Sequence, residues 1–126
     1  MEMDRPILLL EDDASVRQSL QDLLHDHGYR TCVAGTLVEG RRVLEEHRPM
    51  VCLLDLNLPD GSGLELLREA GRLRLRVHAI VLTAFGLEHQ RDRECQQRLV
   101  GWLTKPAAPE QILEMIERAV GASSRP

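Results

Sequence analysis

The strongest constraint on this chain is a recurring alternation. Short, mainly apolar runs follow one another at regular intervals, and amphipathic stretches separate them. The runs are Pro6–Leu10, Tyr29–Ala34, Met50–Leu54, Val77–Leu82 and Val100–Thr104. Between them, Val16, Leu20, Leu23 and Leu24 recur at helical spacing and Gly28 offers a stop. Thr36 can cap a helix carrying Leu37, Val43 and Leu44, which Pro49 closes. Leu64–Leu73 reads as a short helix, and Pro109 can start a last one that Gly121 would end. Runs that are continuously apolar, not alternating, belong to strands covered on both faces. The pattern therefore predicts an α/β fold with a parallel sheet between two helical layers. The second run is the least apolar and is expected at an edge.

The 126 residues amount to one domain, and 43% of them are hydrophobic, enough for a core without disulfide or metal staples. The formal charge of −4 gives no electrostatic case for binding nucleic acid or an anionic membrane surface. No apolar run approaches the roughly 20 residues that span a bilayer, and the polar start is unlike a signal peptide. Cys32, Cys52 and Cys95 are odd in number, lack CxxC spacing and fit reduced thiols in a cytoplasmic protein. Fifteen of the sixteen basic residues are arginine, and Lys105 is the single lysine.

In open α/β sheets, ligands gather outside the carboxyl ends of the strands. Those ends carry Glu11, Asp12 and Asp13, then Asp55, Thr83 and Lys105. Four carboxylates in one place repel one another unless a cation sits among them. A hard divalent ion such as Mg²⁺ suits such oxygens. A hydroxyl and an ammonium alongside suit a phosphoryl group, and Asp55 would be the nucleophile. Taken singly, each residue has a plainer use. Asp13 fits the N-cap of the first helix, Thr83 a strand end, Trp102 the core, and Asp60 to Gly63 a turn. The five histidines show no ligand spacing.

Together, Ile7-Leu-Leu-Leu-Glu-Asp-Asp13, Leu54-Asp-Leu-Asn-Leu-Pro-Asp-Gly-Ser-Gly63, Val81-Leu-Thr-Ala84 and Gly101-Trp-Leu-Thr-Lys-Pro106 resemble the receiver domain of bacterial two-component response regulators. The resemblance covers residues 6–120, leaving 121–126 as a tail or the start of a linker. It implies a flavodoxin-like (βα)5 fold with strand order 2-1-3-4-5. It further implies phosphorylation of Asp55 by a histidine kinase or phosphotransfer protein, with Mg²⁺. On this reading Asp12 ligates the metal directly, Glu11 does so through water, and Asp55 and the Asn57 carbonyl contribute further oxygens. Thr83 hydrogen-bonds the phosphoryl group, Lys105 pairs with it, and Pro106 follows a cis bond. Thr83 and Trp102 form the switch. The family's output or homodimer face would involve the helix expected over Leu87–Leu99, the last strand and the last helix. That helix has little apolar face and lacks the usual glycine before the switch aromatic, so it should be short, displaced or mobile. The resemblance implies a phosphoacceptor, not a turnover enzyme. The competing readings are a degenerate receiver serving as a phosphorylation-independent interaction module and an aspartate-nucleophile phosphatase. Asn57 counts against the phosphatase, because an amide cannot act as the general acid/base two residues after the nucleophile. No phosphate-binding glycine motif supports a nucleotide-binding protein.

Overall fold

The computed structural model describes residues 5–84 and 97–123. Residues 87–96 of the segment expected to be helical over 87–99 lie outside the described residues, as do 124–126 of the expected tail. Five strands form one parallel sheet: β1 (Ile7–Leu10), β2 (Thr31–Ala34), β3 (Val51–Leu54), β4 (His78–Thr83) and β5 (Leu99–Thr104). Their spatial order is β2-β1-β3-β4-β5. A separate two-stranded hairpin pairs Asn57–Leu58 with Gly61–Ser62, overlapping the turn expected over Asp60 to Gly63. The helices are α1 (Ala14–Asp26), α2 (Leu37–His47), α3 (Leu64–Arg72) and α4 (Pro109–Ser123).

Period-two geometry sorts each buried strand onto two faces. Leu8, Leu10, Cys52, Leu54, Ala79 and Val81 point to the layer that holds Leu37 and Leu44 of α2 and Leu66 and Leu67 of α3. Ile7, Leu9, Val51, Leu53, Ile80 and Leu82 point the other way, against Leu20 and Leu24 of α1 and Ile112 and Ile116 of α4. Every residue of β1 and β3 is buried, which is why their runs are continuously apolar. The less apolar β2 lies at an edge.

The helix ends follow from local chemistry. Asp13 Oδ1 accepts the Val16 N–H at 3.0 Å and starts α1. Gly28, at φ +85°, ends it. Thr36 Oγ1 accepts the Glu39 N–H, and Glu39 reaches back to the Gly35 N–H at 3.1 Å, closely similar to a capping box. Asp60, on the hairpin, adds a cap from a distance by accepting the Leu37 and Val38 N–H groups at 2.8 and 3.1 Å. Its carboxyl pKa is lowered by these backbone donors.

The last helix differs from expectation. Gly121 does not stop α4, which runs to Ser123. Ser123 Oγ lies 3.2 Å from the Met50 carbonyl, 2.9 Å from the Ala119 carbonyl and 2.9 Å from His78 Nδ1. A glycine interrupts a helix weakly, and the contacts beyond it sustain the extra residues.

Candidate functional site

Parallel strands bring their carboxyl ends to one side, and backbone bonds extend the ladder into that end. Glu11 N–H donates to the Ala34 carbonyl at 3.0 Å, Asp55 N–H to Leu10 at 2.9 Å, and Lys105 N–H to Thr83 at 2.8 Å. Glu11, Asp55 and Thr83 are buried, while Asp12 is exposed. Glu11, Asp12 and Asp55 each offer a carboxylate oxygen, and all three lie within 4.8 Å of one another. This oxygen-only donor set fits a hard divalent cation.

Lys105 Nζ bridges the two buried acids. It donates to Asp55 Oδ2 at 2.9 Å and forms a short contact with Glu11 Oε1. The second oxygen of each acid is held by backbone: Asp55 Oδ1 accepts the Asn57 N–H at 3.1 Å, and Glu11 Oε2 accepts the Asp13 N–H at 3.2 Å. Burial raises the Glu11 carboxyl pKa, outweighing the lowering pull of Lys105 and Asp13. Burial alone would lower the Lys105 pKa, but its bonds to Glu11 and Asp55 and their charges raise it. The ammonium therefore stays charged between its two carboxylates.

The structure brings together Glu11, Asp12, Asp55 and Lys105, with Thr83 ending the strand beside β3. The Asn57 side is exposed and leads into the hairpin. The Lys105–Pro106 peptide bond is cis. Trp102 lies on β5 opposite Val81 and packs, half-buried, against the layer holding α2 and α3.

Two residues shape the site without having been singled out for it. A Cβ on Gly63 would run into the Asp55 carbonyl oxygen, so only glycine lets the α3 N-terminus pass this close. The signal was the Gly-Ser-Gly after Asp60, which reads equally well as turn chemistry. Arg17 Nη1 donates to the Glu11 carbonyl at 2.8 Å and fastens α1 to the acidic loop. Nothing in helical spacing marks that contact. Beside Lys105, a groove of about 850 Å³ opens between α1 and the start of α4, lined by Val16, Leu20, Leu23, Leu82, Ala107 and Ile112 among others.

The response regulator receiver domain family matches residues 7–117, which is most of the chain. The chain belongs to that family. This receiver domain is 29% identical over 122 residues to the polar-differentiation response regulator DivK of Brucella anthropi, covering 94% of this chain and 98% of the relative. Among solved structures it is similar to a CheY-like receiver domain from Methanospirillum hungatei, with TM-score 0.85, 28% identity and coverage of 94% and 95% of the two chains. It is also similar to the receiver domain of the sensor histidine kinase PA1611 from Pseudomonas aeruginosa, which has magnesium coordinated in its active-site cleft. That match has TM-score 0.77 and 29% identity, covering 93% of this chain and 98% of the other. The strand order and two-layer helix arrangement are those expected of a flavodoxin-like receiver. Receivers act with histidine kinases or phosphotransfer proteins in two-component signalling. No helix among the described residues is long and apolar enough to cross a membrane.

Proposed function

We propose that this receiver accepts a phosphoryl group on Asp55 from a phosphohistidine donor. The observation that carries the reading is the buried Asp55 carboxylate, held between Lys105 and the Asn57 N–H and grouped with Glu11 and Asp12. An Asp55 oxygen attacks phosphorus, a P–O bond forms, the P–N bond to the donor histidine breaks, and the departing imidazole keeps that electron pair and takes up a proton. The Asn57 N–H on Oδ1 and the Lys105 ammonium on Oδ2 fix the carboxylate plane before attack, so little reorganisation is needed. Lys105 then follows the negative charge onto the phosphoryl oxygens, and the Thr83 hydroxyl donates to another of them. Asp12, Asp55, Glu11 and the Asn57 carbonyl would hold Mg²⁺. That ion offsets charge between the acids and the incoming phosphoryl oxygens. The match to a receiver with magnesium in its cleft supports this assignment.

The apolar groove beside Lys105 gives the donor protein a surface to seat against. The domain is a phosphoacceptor and not a turnover enzyme, because Asn57 supplies an amide where an aspartate phosphatase needs an acid. The proposed setting is the cytoplasm, with no direct role in nucleic-acid binding. Incubation with acetyl phosphate and Mg²⁺ should add one phosphoryl mass. Asp55→Asn or removal of Mg²⁺ with EDTA should abolish it. Undiminished labelling of Asp55→Asn would overturn the assignment, and sustained release of phosphate from an aryl phosphate would establish a phosphatase instead.

A further inference from the structure

At the opposite end of the sheet, where the strands begin, the chain builds a second polar cavity of about 400 Å³. It is lined by Arg5, Arg48, Arg74 and Arg76, with His78 and Ser123 among its remaining walls. Among the described residues, no carboxylate side chain lines it and none of the four arginines has an acidic partner. A chain of formal charge −4 has thus gathered four exposed arginines around one hollow. The His78 imidazole pKa is lowered first by burial, then by Arg98 outside the lining and by Arg76 within it.

The backbone adds an independent observation. Arg48 (φ 45°) and Arg74 (φ 57°) are the two non-glycine residues with positive φ among the described residues, and both line this cavity. Each sits just where a helix ends: Arg48 caps α2, and Arg74 follows the Leu73 cap of α3. Glycine is the usual occupant of such left-handed stops, and a side chain there costs free energy. Complementing a helix dipole accounts for a cation at these two positions. It does not account for Arg5 and Arg76, which come from other segments and line the same hollow.

We propose that this cavity binds an oligophosphate, either free or carried by a nucleotide. Guanidinium groups bind phosphate oxygens through paired, charge-assisted hydrogen bonds. Four of them match an anion of several charges better than a single carboxylate. The volume falls within the range of small-molecule sites. The cavity lies at the end of the strands away from Asp55, so occupancy leaves the phosphoacceptor site open.

Calorimetric titration with sodium tripolyphosphate, ATP and adenosine, in EDTA and low salt, tests the proposal. Tripolyphosphate should bind and adenosine should not. Equal affinity for ATP identifies the phosphate chain as the whole determinant, and tighter ATP binding identifies a nucleotide; both outcomes support the site. The double variant Arg48→Gly, Arg74→Gly removes two charges at positions where glycine relieves strain, so it should fold at least as well as the parent. Its affinity should fall about tenfold or more. Arg76→Gln, an independent variant, should also weaken binding, and Arg118→Ala, which loses only the surface pair with Glu114, should not. Amide NMR shifts on titration should centre on residues 48–50, 74–78 and 123. No binding, unchanged affinity in the charge-removing variants, or shifts centred on residues 11–13 and 55–57 would each overturn it.

Discussion

Lys105 is the single lysine of the chain, and its surroundings explain why an arginine would not serve there. A compact ammonium donates to Glu11 and Asp55 together within a small buried space, whereas a planar guanidinium needs more room and a different fork. Replacing it by methionine keeps the stem and removes the charge, leaving Glu11 buried beside two other acids. Breaking a fully buried pair costs about 3–5 kcal/mol. Lys105 retains some contact with solvent, so Lys105→Met should lose about 2 kcal/mol in urea unfolding in EDTA. Added Mg²⁺ should restore part of the loss if the three acids hold the ion as proposed. Equal stability of parent and variant in EDTA would show that the bridge contributes nothing to folding. The sequence placed Lys105 and Asp55 at the same end of the sheet because parallel topology does so, although β4 lies between their strands. It did not reveal that Glu11 shares the ammonium, since side-chain reach across two strands leaves no periodic trace.

At the scale of elements, β4 and β5 connect the site to Trp102, the sole tryptophan. Thr83 pairs with Thr104, and Trp102 pairs with Val81 on the adjoining register. A phosphoryl group that draws Thr83 towards it would open space near the indole, favouring whichever arrangement of an existing equilibrium contacts it better. Beryllofluoride with Mg²⁺, standing in for the phosphoryl group, should therefore change Trp102 fluorescence, and Thr83→Ala should shrink that change. Identical responses in the two proteins would mean that the indole senses metal binding alone. The five strands and the four described helices were readable because burial on both faces writes mainly apolar runs and capping writes Asp13, Thr36 and Gly28. The 57–62 hairpin was not readable, because its arms are two residues each and its bonds are local turn geometry. Nor was the Asp60 cap on α2, a contact between residues more than twenty positions apart.

For the whole molecule, the last helix continues past residue 120, the expected end of the domain. Ser123 ties the end of α4 to Met50, ahead of β3, and to His78 at the start of β4. A chain ending at Val120 should lose about 1 kcal/mol of stability, and its Tm should fall by about 4 °C relative to one ending at Ser123. Matching melting curves would put the boundary back at 120. The parallel sheet has a broader consequence. Because every strand runs the same way, it sets the carboxylates of the site at one end and the arginines of the second cavity at the other, so these two groups define an electric axis along the strands. A charged partner approaching from solution meets that axis as a torque, which turns the domain before any surfaces touch. Dissolved salt weakens the torque over a distance of about one Debye length, so ionic strength acts on the orientation of encounter as well as on its frequency.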